Sequence, residues 1–129
     1  MGEEKKLTAL VIEDNEDNMV LITTLLRMNG FKSIWADTGL KGLQMAQEQN
    51  PDFILLDIQL PDIEGTEVLK RIRALKTDVC RICVIAMTSY AMAGDREKLI
   101  GLGCNGYIQK PINPMRVISQ IREVIEECS

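Results

Sequence analysis

A doubly wound α/β fold, with one parallel sheet between layers of helices, is predicted by three features of this sequence. Short apolar runs alternate five times with amphipathic stretches. The runs are almost continuously apolar, as expected of parallel strands covered on both faces. Reactive side chains recur at the carboxyl ends of those runs, where open α/β sheets bind ligands.

The elements follow in order. Leu7 to Ile12 reads as a strand closed by the acidic pair Glu13 and Asp14. Asn15 to Asn29 carries Met19, Val20, Ile22, Leu25 and Leu26 at helical spacing, with Gly30 as the stop. Ser33 to Ala36 reads as a second strand. Thr38 is placed to cap a second helix that buries Leu40, Leu43, Met45 and Ala46 and ends before Pro51. Phe53 to Asp57 is the most strand-like run, apolar until one aspartate closes it. Pro61 and Gly65 bracket a loop, and Thr66 to Leu75 gives a third helix. Ile82 to Met87 is a fourth strand ending at Thr88 and Ser89. Residues 93–102 form a fourth helix, Gly106 to Gln109 a fifth strand running into Lys110 and Pro111, and Pro114 to Glu127 a last helix.

Size and charge narrow the function. At 129 residues the chain suits a single domain, expected over 1–129 with its core at 7–127 and without an effector domain. A net charge of −4 opposes nucleic-acid binding, which rests on cations neutralising phosphates. No apolar stretch approaches the roughly 20 residues of a membrane span, and the amino terminus lacks a signal-peptide core, so a cytoplasmic location away from membranes is expected. The four cysteines, Cys80, Cys83, Cys104 and Cys128, are expected to be free, reduced thiols packed as small apolar groups. The absence of histidine excludes imidazole acid–base chemistry on this chain.

The chemistry-bearing residues gather at the strand ends: Glu13 and Asp14 after the first, Asp57 after the third, Thr88 and Ser89 after the fourth, Lys110 after the fifth. The fold rule brings them to one edge of the sheet. Carboxylates so close repel, and a hard divalent cation such as Mg2+ resolves the conflict, bound by carboxylates and phosphate oxygens. Lysine and a hydroxyl beside it can hold phosphoryl oxygens, and an aspartate at the centre can be the nucleophile. Taken singly, Asp57 would read as a strand-end cap, Lys110 as a surface lysine and Thr88 as a strand hydroxyl. Glu16 and Asp17 read as a solvated helix start favoured by the macrodipole.

Together, Val11 to Glu16, Leu55 to Pro61, Met87 to Met92 with Gly94 and Asp95, and Gly106 to Pro111 resemble the receiver domains of response regulators, particularly stand-alone ones, over residues 7–127. The resemblance implies a flavodoxin-like fold of strand order 2-1-3-4-5 with five helices. It implies that Asp57 takes a phosphoryl group from a phosphohistidine on a histidine kinase or phosphotransfer protein, and that the chain catalyses its own phosphorylation and dephosphorylation. Mg2+, or Mn2+ in its place, would be bound by Asp14, Asp57 and the Gln59 backbone carbonyl, with Glu13 acting through water. Thr88 and Lys110 would hold phosphoryl oxygens, and Tyr107 would be the aromatic that turns inward as Thr88 moves. Gln59 and Tyr90 would tune phosphate lifetime, and the Lys110–Pro111 bond would often be cis. The surface of the fourth helix, fifth strand and fifth helix would bind a downstream protein target or a second copy in a phosphorylation-dependent homodimer.

Three rival readings compete with this one. A haloacid-dehalogenase-type phosphatase needs an aspartate two residues after the nucleophile, where Gln59 stands. An FMN carrier needs a first loop rich in Ser, Thr and Gly, whereas Glu13 to Asp17 would repel a phosphate. A receiver excised from a hybrid kinase or larger regulator, or a receiver-shaped module that no longer uses phosphate, stays as the alternative.

Overall fold

The computed structural model describes residues 6–89 and 93–128. Tyr90 and Met92, singled out above, lie outside the described residues.

Five parallel strands, β1 (Thr8–Ile12), β2 (Lys32–Ala36), β3 (Phe53–Asp57), β4 (Cys83–Thr88) and β5 (Gly106–Gln109), form one sheet in the order β2-β1-β3-β4-β5. Between and after them run helices α1 (Glu16–Met28), α2 (Gly39–Gln49), α3 (Gly65–Arg73), α4 (Ala93–Gly101) and α5 (Val117–Cys128). A 3-10 turn at Asp78–Arg81, unforeseen from the sequence, leads into β4.

Alternation along the strands divides the interior in two. Ala9, Val11, Phe53, Leu55, Ile85 and Met87 face α1 and α5, packing on Ile22, Leu26, Ile118 and Ile121. Leu10, Ile12, Ile54, Leu56, Val84 and Ala86 face the other way, onto Leu43, Ala46, Val68, Leu69, Ile72 and Leu99. Neither face of β3 meets water, which is why its run is apolar throughout; each such buried side chain contributes roughly 1.5–3 kcal/mol.

Local chemistry sets the helix boundaries. Asn15 caps α1 by accepting from the Asn18 amide at 2.9 Å, so the helix begins one residue later than the pattern suggested. Gly30, at φ +87°, ends it. Thr38 caps α2 as expected, accepting from Lys41 N at 3.1 Å. Asp62 reinforces that end from a distant loop, accepting from Gly39 N at 2.8 Å and Leu40 N at 2.9 Å. The last helix starts at Val117 rather than Pro114, because Asn113 turns the chain first: its side chain accepts from Met115 N and its carbonyl from Arg116 N and Val117 N.

Arg73, at the end of α3, ties together the bottom of the molecule. Its guanidinium donates to the carbonyls of Gly103, Cys80 and Ile82 and to Asn105 Oδ1, five contacts of 2.7–2.9 Å. Asn105 Oδ1 also accepts from Val84 N, so the 3-10 turn, the start of β4 and the approach to β5 share one cation.

The cysteine expectation is corrected. Cys83 and Cys128 form a disulfide, and only Cys80 and Cys104 are free thiols among the described residues. The start of β4 and the end of α5 lie together at the base of the sheet, with Cα atoms 6.1 Å apart across a sequence separation of 45. Such a meeting of distant segments is invisible to local pattern.

Candidate functional site

Parallel register brings the carboxyl ends of the strands level. Ile12 pairs with Leu56 and Asp57 with Met87, so the residues that follow β1 and close β3 and β4 emerge on one edge. Glycine keeps the loop after β3 close: a Cβ at Gly65 would fall 2.6 Å from the Ile58 Cα, and the Gly65 amide donates to the Ile58 carbonyl at 2.8 Å.

Glu13, Asp14 and Asp57 converge there, each offering a carboxylate oxygen within 4.8 Å of the others. Glu13 is wholly buried and Asp57 nearly so, while Asp14 is open to solvent. Lys110 Nζ bridges the two buried acids, 3.1 Å from Glu13 Oε2 and 3.2 Å from Asp57 Oδ2. Its backbone amide donates to the Thr88 carbonyl at 2.8 Å, which joins the lysine to the end of β4. The Lys110–Pro111 peptide is cis.

A further set of contacts supports these acids. Asn18, on the first turns of α1, donates to Glu13 Oε1 at 3.3 Å. Trp35, on β2, donates its indole N–H to the Glu13 carbonyl at 2.6 Å. Gln59 N donates to Asp57 Oδ1 at 3.0 Å, which places the Gln59 backbone against the carboxylate. Asn18 and Trp35 were not foreseen as site residues: nothing in the local sequence of Trp35 announces a partner twenty-two residues away.

The electrostatics are those of an overfilled acidic pocket. Burial pushes the Glu13 carboxyl above its usual range, the Asp57 charge pushes it further, and Lys110 and Asn18 only partly restore it. Three carboxylates face one ammonium. Every donor is a hard oxygen, with no sulfur or imidazole among them, and this set fits a Mg2+-type cation with waters and phosphate oxygens completing its shell.

Thr88 is buried at the end of β4, one residue beyond the partner of Asp57. Tyr107 stands opposite Ala86, two residues back from the pairing of Thr88 with Gln109, and packs half-buried against the cluster that faces α2 and α3. The structure therefore groups Glu13, Asp14, Asp57 and Lys110 directly, with Thr88 beside them and Tyr107 further along β5. Glu16 and Asp17 sit exposed in the first turn of α1, as read from the sequence. No described helix is long and apolar enough to cross a membrane.

Comparison with known proteins agrees with this geometry. The family model described as the response regulator receiver domain matches residues 9–122. The chain is 41% identical over 118 residues to the polar-differentiation response regulator DivK of Brucella ovis, covering 92% of this chain and 95% of that protein. It is similar to a solved CheY-like response regulator receiver domain protein from Methanospirillum hungatei, with a TM-score of 0.85, 27% identity and coverage of 96% and 97%. It is also similar, with a TM-score of 0.84, 30% identity and coverage of 95% and 99%, to the receiver domain of a sensor histidine kinase from Pseudomonas aeruginosa solved with a magnesium ion in its active-site cleft. The fold, the acidic strand-end pocket and these likenesses converge on one conclusion: this chain belongs to the response regulator receiver domain family, the phosphoacceptor modules of two-component phosphorelays.

Proposed function

We propose that Asp57 is the phosphoacceptor and that the pocket around it performs Mg2+-dependent transfer from a phosphohistidine. The observation that carries this reading is the bridging of Glu13 and Asp57 by Lys110 inside a cluster of three carboxylates. A carboxylate oxygen of Asp57 attacks phosphorus, the P–N bond breaks, and the imidazole leaves with a proton in place of the phosphoryl group. Lys110, already 3.2 Å from Asp57 Oδ2, follows the charge onto a phosphoryl oxygen, and the Thr88 hydroxyl takes another. Asp14, Asp57 and the Gln59 carbonyl would hold Mg2+, with Mn2+ as a substitute and Glu13 acting through water. The ion supplies charge neutralisation of the transferred group.

The donor would be a histidine kinase or histidine phosphotransfer protein, as suits a chain resembling DivK and a kinase-borne receiver. Tyr107 would report the change by moving with Thr88, altering the surface of α4, β5 and α5 for a downstream protein or a second copy. The experiment is intact-mass measurement after incubation with acetyl phosphate. One phosphoryl group should be gained with Mg2+ and none in EDTA; an unchanged mass with Mg2+ present would refute the reading.

A further inference from the structure

A cavity lies away from the acidic pocket, along the free edge of β2. It has a volume of about 780 Å3 and is walled by α1, β2, the start of β1 with Lys6 before it, and the end of α2 at Gln49. Lys6, Arg27 and Lys32 line it, with no aspartate or glutamate among the lining residues. In a chain of net charge −4, three cations gathered without an acid mark a local reversal of sign. The acids that flank the lining residues in sequence are engaged elsewhere: Glu48, next to Gln49, accepts from the Gln44 side chain at 3.1 Å, Asp37, two residues beyond Trp35, pairs with Lys41 at 3.1 Å, and Asp52 accepts from the Thr8 amide at 2.7 Å.

The same cavity contains Phe31 and Trp35. Phe31 is nearly buried, whereas Trp35 keeps 38% of its surface exposed. Its indole nitrogen is held by the Glu13 carbonyl, so the ring is a fixed platform rather than a free surface side chain. An exposed, immobilised indole beside a cluster of cations suits a ligand that carries both a flat ring and negative charge.

We propose that this β2-edge groove binds a nucleoside phosphate, its base against Trp35 and its phosphates among Lys6, Arg27 and Lys32. A strand-adding acidic peptide is the less favoured occupant, because an exposed lysine on an edge strand, here Lys32, opposes strand addition.

The test uses the full chain carrying Asp57→Asn, in EDTA, so that metal and phosphoacceptor chemistry take no part. ATP, tripolyphosphate and a polyglutamate peptide are titrated by calorimetry and by the emission of Trp35, the single tryptophan. ATP should bind saturably, with tripolyphosphate at least about fivefold weaker because stacking is worth roughly 1 kcal/mol or more. Arg27→Ala with Lys32→Ala should weaken ATP by about tenfold or more at an unchanged melting temperature, as the loss of two charge-assisted contacts requires. Trp35→Leu should remove the preference for ATP over tripolyphosphate, and Lys76→Ala, outside the groove, should change nothing. Absence of saturation up to millimolar ATP, equal binding of ATP and tripolyphosphate, indifference to the Arg27 and Lys32 changes, or binding of polyglutamate alone would overturn the proposal.

Discussion

At the scale of single residues, the site is governed by an imbalance of charge. Lys110 compensates two of three carboxylates in part, and burial leaves Glu13 raised. The Trp35 indole touches the backbone of that same glutamate, which makes it a built-in reporter. Addition of Mg2+ should shift Trp35 emission saturably in the wild type, and Asp14→Asn should weaken that response at least about tenfold, the loss of one charged ligand being worth more than 1.4 kcal/mol. Trp35→Phe should lower stability by about 1 kcal/mol in urea denaturation, the value of one hydrogen bond lost to the Glu13 carbonyl. Emission that ignores Mg2+ while binding is seen by calorimetry would place the ion away from the Glu13 backbone.

At the scale of elements, two polar side chains hold segments that propensity alone does not. Arg73 uses its full set of five N–H donors on three carbonyls and an amide oxygen, with no carboxylate partner in that network. Arg73→Ala should cost about 2–4 kcal/mol, and Arg73→Lys should recover less than half, since an ammonium cannot span the same fork. Equal stability of the lysine variant and the wild type by thermal denaturation would show the fork to be dispensable. Asp62 acts at the start of α2. Partial desolvation raises its carboxyl, but the amides of Leu40, Gly39 and Ile63 more than offset this and leave it below the usual range. A depressed folded pKa contributes stability that is present above the ordinary carboxylate value and lost as pH falls through the lower folded one. Asp62→Ala should therefore cost about 1 kcal/mol at neutral pH and progressively less in acid, checked by urea denaturation across a pH series.

The elements themselves were legible because burial imposes pattern: β3 and β5 begin and end where the apolar run and its flanks predict. The errors fall where side chains redirect the backbone. Asn113 delays α5, Asn15 serves as a cap, and the four residues of the 3-10 turn are too few to show a period. The acids and Lys110 were legible from their strand-end positions. Asn18, Trp35 and Asp62 were not, because each acts through space on a partner that only the folded register supplies.

At the scale of the whole molecule, a two-layered core is closed at its base by the Cys83–Cys128 bond and opened for chemistry at the opposite, carboxyl edge of the sheet. The bond closes a loop of separation 45, which chain-entropy arguments value at up to about 4 kcal/mol. Maleimide labelling in denaturant should count two thiols before reduction and four after, and dithiothreitol or Cys128→Ser should lower the melting temperature; four thiols without reductant would contradict the pairing. The account as a whole stands on the assignment of Asp57. The most direct measurement is borohydride trapping after treatment with a phosphodonor and Mg2+, which converts an aspartyl phosphate to homoserine, followed by peptide mapping. Homoserine at position 57 alone, and none in Asp57→Asn, is the predicted result. Homoserine at Asp14 or elsewhere in the wild type, or none at all, would contradict it.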